Sequence, residues 1–306
     1  MRIGYLGPPG TFTEMALLRL PEAEEADAVP CASVDVALGR VRAGELDAAV
    51  VAMENSVEGG VSATLDSLAT GSSLHIVGEV LVPIRFVLAV RPGTTLEDIH
   101  AVATHSHAWA QVRGWMSEHL PEAVFMPALS NAAAAADLGG EGASSFQAAV
   151  CPQIAADRHG LVPLADDIGD IPDAVTRFVV AARPGRMPEP TGADKTTLVL
   201  FQRDDRPGGL LGLLEQFAAR GINLTRLESR PTKASLGSYC FSIDLEGHVA
   251  DERVGETLMG LHRICSEVRF VGSYPRADLR PAEIHPDHGD EAYVDARLWL
   301  ELLRRP

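Results

Sequence analysis

Asp47-Ala48-Ala49-Val50-Val51-Ala52-Met53-Glu54-Asn55-Ser56 is an apolar run that ends in three polar side chains. An unbroken apolar reading suits a strand covered on both faces, as in a parallel α/β sheet, better than the alternation of a half-exposed strand. Open α/β sheets hold their ligands beyond the carboxyl ends of such strands, which is where Glu54, Asn55 and Ser56 stand.

The same pattern repeats outward from this run. Residues 2–6, 75–82, 85–90, 101–104, 124–127, 147–151 and 177–182 read as strands, with a helix from about Thr13, another over 34–42 capped by Ser33, and a third over 62–69. Strand–helix alternation predicts an α/β region with a largely parallel sheet. Pro83 and the Arg91-Pro92-Gly93 turn mark a change of subdomain near 80–93, with a return near 175–182, so two lobes and a cleft are expected over residues 1–182. Residues 183–195 then read as a linker, rich in proline and glycine. From 196 to 275 the order is βαββαβ: strands at 196–201, 222–228, 238–245 and 268–273, helices at 210–220 and 251–265. That is the ferredoxin-like arrangement. Its sheet has open edges and one uncovered face, which pairing with another copy would bury. In the tail, 276–306, Val294, Leu298 and Leu302 fall at i, i+4 and i+8, so an amphipathic helix must pack on something.

The 306 residues are 46% hydrophobic and 22% charged, a globular composition that excludes a disordered chain. A formal net charge of −16 argues against nucleic acid or an anionic membrane as partner. Any anionic ligand must therefore be held by local donors against the general field. Cys31, Cys151, Cys240 and Cys265 form no CxxC pair and read as free thiols, buried at least at the first three. The stretch closest to a membrane span, 80–90, is broken by Pro83 and Arg85, and the first ten residues break into glycine and proline. A soluble, cytoplasmic protein is expected.

Several short motifs carry donors. Gly7-Pro8-Pro9-Gly10-Thr11-Phe12-Thr13 follows a strand and opens a helix, so it is either an amide-rich anion cradle or a tight turn with a threonine cap. His105-Ser106-His107 has no third metal ligand near it, and capping of the next helix by Ser106 accounts for it better. Gln111 lies one turn into that helix, and Ser130-Asn131 precedes an alanine run as an N-cap would. Asp173-Ala174-Val175-Thr176-Arg177-Phe178 sets a hydroxyl beside a permanent cation at a strand edge. Gly208-Gly209 is an amide-rich turn before a helix, and Glu228-Ser229-Arg230-Pro231 ends a strand with Glu228 and Arg230 on one face. Each of these, taken alone, also has an explanation as structural punctuation.

Taken together and in order, GPPGTFTEMAL, MENSVEGGV–TLDSL, HAWAQVRGWM, LSNAAAAA, VTRFVV and INLTRLESRP resemble the prephenate dehydratase family over about residues 1–275. The resemblance implies a two-lobed catalytic domain like a type II periplasmic binding protein, with the active site in its cleft. It also implies a ferredoxin-like ACT domain that binds phenylalanine. Two departures stand out: Asp173-Ala174 replaces the asparagine usual before Thr-Arg-Phe, and Gly208-Gly209-Leu210-Leu211 replaces Gly-Ala-Leu-Val. No chorismate-mutase-type extension precedes the first motif, so a single activity is expected.

The activity so implied turns prephenate into phenylpyruvate, water and carbon dioxide. Aromatisation of the ring supplies the drive, so the protein has to hold a dianion and help hydroxide leave; no redox cofactor and no metal is expected. Thr176 becomes the hydrogen-bond donor to the leaving hydroxyl. Arg177 becomes the partner of a carboxylate, or a salt link that orients a lobe. Thr11, Asn55, Ser56, Gln111, Ser130 and Asn131 would line the cleft, with Phe178 near the ring. Gly208, Gly209, Leu210, Asn223, Leu224, Glu228, Ser229, Arg230 and Pro231 would form the phenylalanine site. The expected assembly is a homo-oligomer, dimer or tetramer. Arogenate dehydratase, with the same chemistry on the amino-acid analogue, fits the motifs equally; a non-catalytic amino-acid sensor is the other alternative, and the intact Thr176-Arg177-Phe178 speaks against it.

Overall fold

A computed structural model of the chain describes residues 1–204, 206–232 and 239–305. Its elements begin with β1 (Arg2–Leu6), α1 (Phe12–Leu17), β2 (Asp27–Cys31), α2 (Val34–Arg42), β3 (Ala48–Asn55), β4 (Gly59–Gly60), α3 (Ser62–Ala69) and β5 (His75–Pro83). There follow β6 (Val87–Val90), β7 (Ala101–Thr104), α4 (Ser106–Gln111), α5 (Arg113–His119), β8 (Val124–Pro127), α6 (Asn131–Gly139), β9 (Ala148–Cys151), α7 (Gln153–Arg158), β10 (Val162–Ala165) and β11 (Val175–Ala182). The remainder is β12 (Asp194–Gln202), α8 (Gly209–Ala218), β13 (Leu224–Pro231), β14 (Tyr239–Glu246), α9 (Glu252–Ile264), β15 (Cys265–Pro275) and α10 (Asp290–Arg304).

The chain divides into two compact units, residues 1–61 with 80–178, and 62–79 with 179–306. The first unit holds two lobes. In one, strands run in the order β2-β1-β3-β11-β5 with β4 beside β3, and β1 pairs in parallel with both β2 and β3. The apolar run of β3 is buried from Ala48 to Val51, as its unbroken pattern requires. In the other lobe the order is β10-β6-β9-β7-β8. Only β7 with β8 and with β9 is parallel; β6 is antiparallel to β9 and to β10. The largely parallel sheet expected here is therefore mixed. β6 takes antiparallel neighbours on both sides, an arrangement that does not require the crossover connection parallel strands need.

The core of this second lobe is built from small side chains: Ala89, Ala103, Ala132, Ala134, Ala135, Ala149, Ala155 and Ala156. Alanine lets α6 and α7 approach the sheet closely, and the tight packing leaves little freedom for their N-termini.

In the second unit the sheet order is β13-β14-β12-β15, antiparallel throughout, with α8 and α9 over one face. Leu198, Leu200, Leu213, Phe217, Ile243 and Leu261 fill the space beneath those helices. The opposite face, expected bare, is buried and polar. Arg226 grips Asp244 with two bonds, from Nε at 2.9 Å and Nη2 at 3.1 Å, and Thr197 donates to the same carboxylate at 2.7 Å. Segment 71–79 supplies some of the cover: Lys195 pairs with Glu79 at 3.0 Å, and Gly272, at φ +135°, leaves room for the Ile76 backbone. β13 runs on to Pro231 instead of stopping at 228, and Cys265 opens β15 instead of closing the helix. The start of the strand expected at Ser238 lies outside the described residues, as does Lys233.

All four cysteines are buried free thiols. Burial pushes Cys151 up to about 12 and Cys265 up to about 11. Among the described residues no helix is long and apolar enough to cross a membrane.

Candidate active site

Between the two lobes of the first unit lies a cleft of about 310 Å³, and seven of the nine residues expected to line it do so: Thr11, Asn55, Gln111, Ser130, Asn131, Thr176 and Phe178. A cavity of that size suits a small organic ligand.

The Thr11 loop is set by its own helix. Thr11 is the N-cap of α1: its hydroxyl accepts from the Glu14 amide at 3.3 Å and donates to the Leu6 carbonyl at 2.9 Å. Gly10, at φ +94°, presses on the other lobe; a Cβ there would lie 3.1 Å from that of Ala155 and 3.5 Å from that of Ala132. Glu14 locks this contact. Its carboxylate is buried, accepts from the Gly10 amide at 2.6 Å and the Tyr5 hydroxyl at 3.4 Å, and pairs with Arg158 on α7 at 3.0 Å. Burial, with the Glu14 charge adding, pushes the Tyr5 phenol up to about 12.

At the carboxyl end of β3, Asn55 is held by two backbone donors. Its Oδ1 accepts from Val57 at 2.8 Å and Glu58 at 3.2 Å, which fixes the carboxamide's orientation. Its Nδ2 then donates to Thr176 Oγ1 at 2.7 Å. A hydroxyl that accepts from a fixed amide keeps its own hydrogen to donate. Thr176 is 6% exposed, and that small opening faces the cleft. Phe12, Phe86 and Phe178 form an aromatic wall beside it, Phe12 meeting Phe86 edge-on at 5.5 Å.

Ser56 and Arg177 do not line this cleft. The Ser56 hydroxyl accepts from the Val175 amide at 3.0 Å, and its own amide donates back to Val175 at 2.9 Å, so it ties β3 to β11. Arg177 is buried with its guanidinium 3.6 Å from Glu54. Ala174 is buried, and its carbonyl accepts from the Ile84 amide at 2.8 Å.

From the other lobe, Ser130 caps α6 by accepting from Ala133 at 3.0 Å. Asn131 Oδ1 accepts from Thr104 Oγ1 at 3.1 Å and from the His105 amide at 3.2 Å. The cap of α4 is His105, not Ser106: its Nδ1 accepts from the His107 amide at 3.3 Å, which places Ser106 inside the first turn. Burial lowers the His105 pKa, the charge of His107 adding and that of Glu58 opposing. His107 pairs with Glu58 at 2.9 Å. Among the described residues no group of three or more His, Cys, Asp or Glu side chains is placed to hold a metal.

Sequence reasoning missed Glu14, Glu58, Phe12 and Phe86. Glu14 stood in the quoted GPPGTFTEMAL stretch, where a glutamate in a first turn is an ordinary helix-dipole partner. Its link to Arg158, 144 positions away, has no local signature.

The expected effector residues all lie in the second unit. Gly208, at φ +81°, opens α8, and a Cβ on Gly209 would lie 2.7 Å from the Gln202 amide nitrogen. Leu210 is 37% exposed. The Asn223 carbonyl accepts from Glu246 at 3.0 Å, and Leu224 starts β13 opposite Leu245. Ser229 and Pro231 pair with Phe241 and Tyr239 along the same ladder. Glu228 turns to Arg226 at 3.6 Å, while Arg230 reaches Asp66 on α3 through Nε at 3.1 Å and Nη2 at 2.9 Å.

Residues 3–186 match the family model for prephenate dehydratase, and residues 196–263 that for the ACT domain. A prephenate dehydratase of Mycolicibacterium vanbaalenii is 47% identical over 99% of this chain and 98% of its own length. The crystal structure of prephenate dehydratase from Arthrobacter aurescens in complex with L-Phe is 54% identical, covers 100% of both chains and superposes with a TM-score of 0.95. GqqA, a quorum-quenching acylase, is 30% identical, covers 90% of this chain and 98% of its own, and has a TM-score of 0.79. With both domain models matched in order and relatives aligned across nearly the full length, the chain belongs to the prephenate dehydratase family of lyases that carry a C-terminal ACT domain.

Proposed function

We propose that the protein converts prephenate to phenylpyruvate, and that phenylalanine regulates it through the ACT domain. In this reading residues 1–182 form the catalytic domain, 183–195 the linker, 196–275 the ACT domain and 276–306 a tail. The bond between Asn55 and Thr176 at 2.7 Å carries the reading. As the ring carboxylate leaves as carbon dioxide, its C–C electron pair enters the ring, the ring C–O bond breaks, and hydroxide departs. Thr176 donates a hydrogen bond to that oxygen as charge develops on it, and the released hydroxide takes a proton from solvent to become water. Asn55 keeps the donor aimed, and the Glu54–Arg177 pair holds the strand ends that carry both. Donation of this kind is worth roughly 10²–10⁴ in rate.

The cleft meets the substrate's carboxylates with dipoles: Asn131, Gln111 and the amides that open α6 behind Ser130. The aromatic wall receives the ring. Phenylalanine would sit with its carboxylate on the Gly208-Gly209 amides, its amine near Asn223, its ring against Leu210 and Leu224, and the Glu228-Ser229-Arg230-Pro231 strand framing the site. A phenylalanine-bound relative at 54% identity supports this effector. We further propose a cytoplasmic location and a homo-oligomeric assembly, the assembly supported by the sheet edge at β13 and by the exposed apolar side chains of α10.

Timed formation of the aromatic product from prephenate and from arogenate, with an acylated amide as control for the acylase relative, tests the reading. Turnover of prephenate with inhibition by phenylalanine is expected. Turnover of arogenate alone, or of the amide alone, would overturn it.

A further inference from the structure

The tail helix is held by one side only. Arg297 on α10 pairs with Glu252 of α9 at 2.5 Å, and Asp290 accepts from the Glu252 amide at 2.9 Å. At 100° per residue, Leu298, Trp299, Leu302 and Leu303 fall 100° or more from Arg297 and point away from α9. They are 56%, 60%, 64% and 63% exposed. Four large apolar side chains on one face of a 15-residue helix mark an interaction surface. Two acids, Glu291 and Asp295, share that outer face.

A groove of about 730 Å³ lies in the same unit, floored by Leu258, Met259, Val268 and Phe270 from α9 and β15. Met259 is 51% exposed. The rim is basic, with His262 and Arg263. The groove combines apolar lining with a basic side chain, Arg263, and the helix face combines apolar side chains with two acids, so the two are complementary in character and in charge. The chain's own α10 cannot fill it, because the groove is built on α9 and the face turns away from α9. A second copy offers both halves, and exchange about a two-fold axis satisfies both sites in a closed pair.

We propose that α10 of one copy seats its outer face, Leu298, Trp299, Leu302 and Leu303, in the α9–β15 groove of a second copy, which returns its own α10 to the first. The full-length chain tests it by light scattering and by cysteine pairing. Leu298→Asp with Leu302→Asp should at least halve the solution mass at micromolar concentration, with the circular dichroism and Tm of the monomer fold kept, since both side chains are exposed. An unchanged mass overturns the proposal. Under mild oxidation, a mixture of Leu302→Cys and Met259→Cys preparations should give a covalent pair, and neither alone should; the native thiols are buried and contribute no background. A pair formed by Leu302→Cys with itself means helix-on-helix docking and overturns the proposal, as does the absence of any pair in the mixture.

Discussion

Asn55 donates to Thr176 across 2.7 Å, joining the end of β3 to the start of β11 within the cleft. Because the carboxamide is itself fixed by two backbone amides, the threonine's acceptor side is occupied and its hydrogen is directed. Thr176→Ala should lower kcat by about 10² or more, roughly 3 kcal/mol of transition-state stabilisation, with KM little changed. Thr176→Ser should keep most of the activity, and Asn55→Ala should cost roughly tenfold in kcat by freeing the rotor. A raised KM at unchanged kcat for Thr176→Ala would move Thr176 to a binding role.

Glu14 joins the Gly10 turn to Arg158 of the opposite lobe. Glu14→Ala leaves a buried amide and a partly buried guanidinium without an acceptor, so a loss of roughly 1–3 kcal/mol in denaturant unfolding is expected. KM should rise as well, because the turn carries Thr11. Glu14→Gln keeps an acceptor for Gly10 and should do less harm. In that variant the Tyr5 phenol, now at about 12, should titrate lower, though burial still holds it above an exposed tyrosine. Tyrosinate absorbance reads this directly.

Burial holds the His105 ring below its ordinary value of 6.5. Between that folded value and 6.5 the unfolded chain binds more protons than the folded one. Stability therefore rises with pH across this window and is lost as pH falls through 6.5 toward the folded value. Urea midpoints between pH 5 and 7.5 should show this slope, and His105→Gln should flatten it. An equal slope in the variant would assign the effect to another group.

Arg230 grips Asp66 on α3, the helix that starts seven residues after Asn55 in the chain. Arg230→Ala and Asp66→Asn should each raise the phenylalanine concentration for half-inhibition by about tenfold, equivalent to roughly 1.4 kcal/mol. The double variant should add little beyond either single one, since both remove the same link. Full additivity would separate the two residues.

The runs that specify strands were legible because they are local. The apolar stretch before Glu54, the serine caps of α2 and α6, and the βαββαβ order all sit in short windows where periodicity and capping chemistry decide. What escaped was long-range. β2, which contains Pro30, is absent from the strands expected from sequence, and it forms where β1 offers it a parallel edge. The polar face of the four-stranded sheet read as bare because Arg226 and Asp244 are 18 residues apart and neutralise each other only in the fold. Within the cleft, residue type found the lining, while direction eluded it: Ser56 and Arg177 stand next to Asn55 and Thr176 in sequence, and strand alternation turns them the other way.

Among the described residues, none that lines the cleft is a lysine or an arginine, and the chain as a whole carries a charge of −16. A dianion diffusing toward such a polyanion is repelled until it reaches the dipoles that hold it. Electrolyte shortens the reach of that repulsion, from about 30 Å at 0.01 M to about 10 Å at 0.1 M ionic strength. The second-order rate kcat/KM should thus climb with added salt while kcat stays level, opposite to enzymes whose cationic funnels make encounter fall with salt. A kcat/KM that declined with salt would reveal a cation that enters the cleft only when the lobes close on substrate.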